Sequence, residues 1–392
     1  MRVTELFCGA GLAHRGIEAA LPDAKCIAYD FNEDAVTSAV SNDIKAFWAD
    51  LSNAVIRQEV VNRQLPDLLW ASPPCQGFSS AGKRLGAADP RNGFPWVLDM
   101  LHLYLSRYGQ VPPRVLIENV KGMTTHRGGR RAPCKRGKLP DPTNCPGCYL
   151  ELVCSELREY YAHVEWRVLD AAEYGVPQHR RRLIIQCQQV PIVWPTPTHG
   201  PNADRPYVTM RDALPHLDEE ARIFGGGTNP RQPDAEHQRT HVDLADRPST
   251  TIAAQYGGGA GNAGPWILDG GRNLANHPRQ ERPVTGDEPS PAVSTRGNQV
   301  IRFLGRPSPT VDTCEVKGST LCNRSDGRPR VNRASDALKA ATGRRRLTVE
   351  ECAILQGLDC DPTLQHQTKT SRYRQVGNGV PPQLVRAIIE SK

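Results

Sequence analysis

Cys75 is the side chain in this sequence best placed to act as a nucleophile. It sits in Pro73-Pro74-Cys75-Gln76, just after the apolar run Leu68-Leu69-Trp70-Ala71, which reads as a buried parallel strand. A loop of small residues follows, Gly77-Phe78-Ser79-Ser80-Ala81-Gly82. The spacing puts a lone thiol at the carboxyl end of a strand, where open α/β sheets hold their reacting groups, and the prolines stiffen its approach. A thiolate there can attack an electrophilic carbon; the plainer alternative is a buried structural cysteine. A second run, Val115-Leu116-Ile117, ends in Glu118-Asn119-Val120, so a carboxylate faces the same crevice as an acid or as a helix cap. Gln178-His179-Arg180-Arg181-Arg182 adds two guanidinium groups, Arg180 and Arg182, on one face of an extended segment. Together such a pair can hold a carboxylate or phosphate.

A cofactor site is expected beside these groups. Phe7-Cys8-Gly9-Ala10-Gly11 joins the first strand to the first helix, but His14 occupies the third glycine position of a dinucleotide fingerprint. Asp30 ends the second strand and suits ribose hydroxyls, Phe31 can lie against an adenine ring, and Asp50 after the third strand can accept from an adenine amino group. Each has a local alternative as a cap or turn residue. Jointly they describe a nucleoside cofactor without phosphates, and S-adenosylmethionine fits.

These groups need a scaffold of alternating strands and helices. Strand-like runs occur at 3–7, 25–29, 46–48, 67–71, 114–118, 164–169 and 182–187, with helical patterns at 12–20, 34–40 and 94–108 between them. The alternation predicts an α/β, doubly wound, Rossmann-like parallel sheet. From about 190 to 341 Pro and Gly become frequent and helical periodicity fades. Three related phrases recur there, at 247–252, 288–293 and 306–311, each leading a turn into a short extended run. Helical signals return with Thr348 as an N-cap and again near 382–390. The expected organisation is a catalytic and cofactor-binding part at 1–189, a smaller irregular inserted domain at 190–341, and a return to the first domain at 342–392.

Composition narrows the partners. With 392 residues, 23% of them charged, and a mean hydropathy of -0.51, the chain can bury two cores and offers no apolar run of bilayer length. The first strand begins at once, so no leader is expected, and twelve scattered cysteines suggest a reducing, cytoplasmic setting. The net charge is +7, yet residues 301–346 alone hold eleven Lys/Arg against four Asp/Glu. Arg127, Arg130, Arg131, Lys135, Arg136 and Lys138 form a second basic cluster. Basic stripes in loop-rich sequence suit a polyanion, although a solvated face is as common. An insertion at about 124–154 carries Cys134, Cys145, Cys148 and Cys154; Cys145-Pro146-Gly147-Cys148 has zinc-knuckle spacing, so a structural zinc is expected there as an alternative to free thiols.

In their order along the chain these motifs resemble those of the DNA (cytosine-5) methyltransferase family. Phe7 to Gly11 resembles its cofactor motif, Pro73 to Gln76 its nucleophile motif, and Glu118 to Val120 with Gln178 to Arg182 its base-binding motifs. Arg346-Leu347-Thr348 with Glu351 and Leu355-Gln356-Gly357 resembles the segment bracing the target-recognition domain, and Gln375-Val376-Gly377-Asn378-Gly379-Val380 the closing motif. One departure is Leu12, where the family has a second glycine beside Gly11. The resemblance implies methyl transfer from S-adenosylmethionine to C5 of a flipped-out cytosine through a covalent Cys75–C6 intermediate. Glu118 would serve ring N3, Arg182 would orient Glu118 or the nucleophile, and Arg180 would bond the pyrimidine O2. Pro73, Asn378 and Val380 would line the cofactor site with Phe7, Gly9, Gly11, Asp30, Phe31 and Asp50. The 79–95 loop would close over the base, and the 190–341 domain would recognise its target. Implied partners are double-stranded DNA and a cognate restriction endonuclease, with the enzyme a monomer; a tRNA methyltransferase of the same family and an inactive DNA-binding relative are the alternatives.

Overall fold

The computed structural model describes residues 1–74, 89, 91–126, 145–216, 222–226, 241–243, 248–250, 266–269, 298–303 and 344–391. Seven strands form the main sheet: β1 (Arg2–Leu6), β2 (Lys25–Asp30), β3 (Ala46–Trp48), β4 (Leu68–Ala71), β5 (Arg114–Val120), β6 (His163–Asp170) and β8 (Arg181–Gln188), with the two-residue β7 (Gln178–His179) between the last two. Their order is β3-β2-β1-β4-β5-β8-β6. All four residues of β4 are buried, as an inner parallel strand requires. Successive β4 side chains enter opposite cores. Leu69 and Ala71 join Val97, Met100, Leu101 and Tyr104 of α4 (Phe94–Tyr108), while Leu68 and Trp70 join Ile17 of α1 (Leu12–Ala20).

The sheet departs from the all-parallel expectation at one edge. Strand β8 runs antiparallel to both β5 and β6, while β1 to β5 are mutually parallel. The cause is chain length. Only the 3-10 turn Ala171–Tyr174 and β7 separate β6 from β8, too little for the crossover helix that a parallel return needs.

The remaining helices are α2 (Glu33–Val40), α3 (Ala54–Arg63), α5 (Pro146–Leu157), α6 (Met210–Ala213), α7 (Val349–Leu355), α8 (Lys369–Asn378) and α9 (Pro382–Glu390). Thr348 caps α7 in a capping box: its Oγ1 accepts from Glu351 N at 3.1 Å, and Glu351 Oε2 accepts from Thr348 N at 2.7 Å. Helix α9 returns the carboxyl end of the chain to α1. The contact is so close that a Cβ on Gly16 would lie 2.4 Å from the Pro382 carbonyl oxygen. Met210 and Leu214 pack with Leu347, Val349 and Val376. The short strands β9 (Arg222–Gly226), β10 (His241–Asp243), β12 (Trp266–Asp269), β13 (Asn298–Phe303) and β14 (Arg344–Arg346) make a second sheet. The two-residue β11 (Ser249–Thr250), from the first recurring phrase, pairs instead with β7.

One buried ion pair joins β1 to α1. Glu5 of β1 and His14 of α1 meet at 2.8 Å, Oε2 to Nδ1, and are 1% and 2% exposed. Glu5 Oε1 is buried without a hydrogen-bond partner among the described residues. Burial raises the Glu5 carboxyl against the opposing pull of His14. Burial lowers His14, but its bond to Glu5 and the charges of Glu5 and Glu18 outweigh that, so the imidazole ends above its ordinary value. For a raised histidine, stability is fully present below the unfolded-state value near 6.5 and is lost as pH rises through the folded one. His14→Ala should cost about 3–5 kcal/mol, because it leaves an uncompensated buried carboxylate. Denaturant unfolding of both proteins checks this, and the wild type itself should lose stability as pH rises from 6 to 9.

Candidate active site

The carboxyl ends of β1, β2, β3, β4 and β5 lie in register along one rim of the sheet. The first loop is tightly wound: Phe7, Gly9 and Gly11 have φ of 61°, 58° and 82°. A left-handed phenylalanine stores backbone strain of about 1–3 kcal/mol, which surrounding contacts must offset. Asp30 does much of this. Its Oδ2 accepts from Gly9 N at 2.8 Å and its Oδ1 from Asn32 N at 2.8 Å. Burial raises the Asp30 carboxyl while these amide donors pull it down. Expected as a ribose partner or a local cap, Asp30 also fastens the loop, and a carboxylate keeps lone pairs for a hydroxyl after two such bonds. Phe31 stands 59% exposed beside it. Asp50 follows β3, and its Oδ1 accepts from Ser52 N at 3.0 Å and Ser52 Oγ at 2.7 Å. A close backbone loop, a buried strand-end carboxylate and an exposed aromatic ring fit a nucleoside with an amino-acid tail.

Leu12 explains its own departure from the family pattern. It is 1% exposed and packs in a cluster with Ala10, Leu347, Tyr373 and Val376. A Cβ on Gly379 would meet Leu12 Cδ2, Cγ and Cβ at 2.3, 2.8 and 2.9 Å. The closing segment therefore accommodates the larger residue through its own glycine. Gly379→Ala should cost about 1–3 kcal/mol through overpacking. In a Leu12→Gly background that cost should largely vanish, and a double-mutant cycle showing plain additivity would refute the coupling.

Glu118 lies one position beyond the β4–β5 pairing of Ala71 with Ile117, which sets it beside Ser72. Its Oε1 accepts from Arg182 Nε at 2.9 Å, with both side chains about nine-tenths buried. The Ser72 hydroxyl bonds to Glu118 and accepts from Trp70 Nε1 at 3.0 Å. Burial pushes the Glu118 carboxyl up, while Arg182, Arg180 and Ser72 pull the other way; the net direction is up. Asn119 Nδ2 donates to the Pro73 carbonyl at 3.2 Å and so ties the end of β5 to the prolines that lead to Cys75. Gly93, at the N-cap of α4, abuts those prolines: a Cβ there would lie 2.7 Å from Pro74 Cδ. Cys75 and residues 76–88 lie outside the described residues, as do the 127–144 basic cluster and most of the 301–346 basic stretch.

Arg180 departs from its expected place. It is fully buried, and its Nη2 donates to the carbonyl oxygens of Gly377 at 2.8 Å and Gly379 at 2.7 Å. A guanidinium committed to the closing motif is suited to bracing that motif, and Arg182 is the one that meets Glu118. Asp170, which the sequence did not single out, organises the segment. It accepts from Arg180 N at 2.8 Å, His179 Nδ1 at 3.1 Å and Arg181 Nε at 3.2 Å. Burial alone would raise Asp170, but the bonds from His179, Ala172 and Arg181 and the charge of His179 hold it below the usual carboxylate range. Asn378 is exposed at the end of α8. Val380 belongs to the core cluster of Ile17 and Leu384, so its side chain is spent on packing.

The expected zinc ligands are also rearranged. Cys145 and Cys148 converge on His126, whereas Cys154 lies two turns along α5 in the main core, its thiol pushed up to about 11 by burial. Cys134 lies outside the described residues.

Relatives and solved structures match from about half of the chain to all of it. The type II methyltransferase M.AplI of Arthrospira platensis is 25% identical over 395 residues, covering 99% of this chain and 84% of the relative. M.AquIA of Picosynechococcus sp. is 31% identical over 194 residues, 46% of this chain and 71% of that protein. Among solved structures, the Dnmt2 methyltransferase of S. pombe superposes with a TM-score of 0.55 at 18% identity, covering 100% of this chain and 97% of that one. The methyltransferase EhMeth of Entamoeba histolytica gives 0.57 at 14%, with coverage of 100% and 97%. These two share the fold, a mostly parallel sheet flanked by helices. Residues 1–392 match the model of C-5 cytosine-specific DNA methylases, and the chain belongs to that family as a DNA (cytosine-5) methyltransferase.

Proposed function

We propose that this chain methylates C5 of a cytosine flipped out of a specific duplex DNA sequence, with Cys75 as a transient nucleophile and Glu118 as the acid at ring N3. The placement of Glu118 carries the reading: a carboxyl with a raised proton affinity, beside Ser72 at the end of β4, held by Arg182 at 2.9 Å. Cytosine C5 is a poor nucleophile until the ring is activated. A bond from Cys75 sulfur to C6 sends the C5=C6 electron pair to C5, and Glu118 stabilises the charge that reaches N3 by donating a proton or hydrogen bond there. S-adenosylmethionine supplies an electrophilic methyl group when bound. After C5 takes the methyl, loss of the C5 proton restores the double bond and expels the Cys75 thiolate.

Phe7, Gly9, Gly11, Asp30, Phe31 and Asp50 are proposed to hold the cofactor, with Pro73, Asn378 and the Val380 backbone closing its site. C6 is stacked within a duplex, so the base must leave the helix, as base-modifying methyltransferases require. Residues 190–341 are proposed as the target-recognition domain between the catalytic parts 1–189 and 342–392. The pairing of β11 with β7 supports this, since it joins that region to the Arg180–Arg182 segment. A bacterial or phage enzyme acting in the cytoplasm as a monomer is proposed, and its type II methyltransferase relatives support a paired restriction endonuclease. No helix among the described residues is long and apolar enough to cross a membrane.

Trapping tests the reading. Duplex DNA containing 5-fluorocytosine at the methylated site should form a covalent adduct with the wild type and none with Cys75→Ser. An adduct that survives the substitution would refute the nucleophile, absence of one with the wild type would favour an inactive relative, and methyl transfer to tRNA alone would favour the tRNA reading.

A further inference from the structure

The 3-10 turn Lys121–Thr124 follows directly from the strand that carries Glu118, and Gly147 N donates to the Thr125 carbonyl at 3.1 Å. That bond draws His126 onto the first turn of α5, against Gly147. A Cβ on Gly147 would lie 2.8–2.9 Å from three atoms of the imidazole, so only glycine admits the ring in this position. The ring then faces two thiols. His126 Nδ1 is 3.7 Å from Cys148 Sγ and 4.0 Å from Cys145 Sγ, and the three donor atoms lie within 4.8 Å of one another. Bonds of about 2.0–2.3 Å around a tetrahedral zinc set donor atoms roughly 3.5–3.8 Å apart, close to the spacing seen here. Both cysteines are buried, at 0% and 7% exposure.

A second observation points the same way. His126 Nε2 lies 3.5 Å from Glu151 Oε1, one turn further along α5. Metal-bound histidines usually turn their other nitrogen toward a carboxylate, which fixes the tautomer and strengthens the ligating lone pair. The order Glu151, His126, thiols reproduces that arrangement. Two thiolates and an imidazole suit zinc over the harder divalent cations.

We propose that His126, Cys145 and Cys148 bind a zinc ion, with Glu151 orienting His126. Binding releases one proton from each thiol. The ion joins the turn after Glu118 to the N-terminus of α5 and thereby pins the end of β5. Cys154 is excluded as a ligand: at 1.5 Å per residue it lies about 9 Å along the helix from Cys148.

Zinc analysis of protein purified without chelators, and of protein reconstituted with zinc, should give about one equivalent. Cobalt(II) substitution should produce a thiolate-to-cobalt charge-transfer band. His126→Ala and Cys148→Ser should lose the band and most of the metal, while Cys154→Ser keeps both. Glu151→Gln should weaken zinc affinity about 10- to 100-fold. If the ligand variants fail to fold, chelator added to the wild type should lower its melting temperature, and added zinc should restore it. Less than half an equivalent of zinc after reconstitution with no cobalt band, a Cys145–Cys148 disulfide under reducing conditions, or metal that survives His126→Ala and is lost in Cys154→Ser would each overturn the site.

Discussion

Glu118→Gln should lower kcat by about 10²–10⁴-fold, the usual range for losing a positioned acid, while cofactor and DNA affinities change little. The amide is nearly isosteric, and its oxygen can still accept from Arg182 Nε, so the 2.9 Å contact and the packing around Ser72 survive. What is lost is the transferable proton. Burial raises Glu118 above the ordinary carboxylate range, and the cations Arg182 and Arg180 limit the rise. A raised carboxyl stays protonated to higher pH, so the acid form is present below the folded value and disappears as pH climbs through it. Cys75 has the opposite requirement, since only its thiolate attacks. The profile of kcat/KM should therefore be bell-shaped, with its alkaline limb set by Glu118. In Glu118→Gln that limb should flatten while the acidic limb remains. Arg182→Met should move the alkaline limb to higher pH, because it removes the nearest charge holding the carboxyl down. Steady-state rates from pH 5 to 9 on a single-site duplex decide the matter: a Gln variant that retains more than a tenth of wild-type kcat would remove Glu118 from the acid role.

The strand-end groups were legible because two short-range signals coincide. Short, continuously buried apolar runs mark β1, β4 and β5, and the first polar residues after them fall at one rim. Strand direction leaves no such mark, so the antiparallel β8 became visible only through the short link that precedes it. The alternation of Arg180 and Arg182 placed both on one face, and only the resemblance pointed to Arg182 for Glu118. That choice depends on Gly377 and Gly379, almost two hundred residues later. Leu12 and Gly379, one residue filling what the other leaves open, are related by the docking of the chain's last segment on its first helix. His126 stood 19 residues from Cys145 without a motif around it; a backbone bond between Gly147 and Thr125 brings them together. Nor was Asp170 marked, since its role is to gather donors from a segment that the fold bends back onto it.

Arg180→Met should destabilise the fold and weaken cofactor binding, an outcome that separates bracing from base contact. Hydrogen bonds from a charged group contribute about 1.5–3 kcal/mol each, so losing the two to Gly377 and Gly379 should cost on the order of 3–6 kcal/mol. The methionine fills much of the vacated volume but leaves both carbonyl oxygens without this donor. The loss falls where α8 runs into the Gly379 turn against Leu12, next to the positive-φ loop of Phe7, Gly9 and Gly11. The KM for S-adenosylmethionine should therefore rise more than that for DNA, and saturating cofactor should recover part of the lost stability through linkage. Arg180→Lys should recover little of the loss, because a shorter point charge must span both carbonyls from a different position. A contact to the pyrimidine O2 predicts the reverse pattern: native stability and cofactor affinity, with the defect confined to kcat. Denaturant unfolding with and without cofactor, alongside separate KM measurements for cofactor and DNA, distinguishes the two, and a variant as stable as the wild type would return Arg180 to the base.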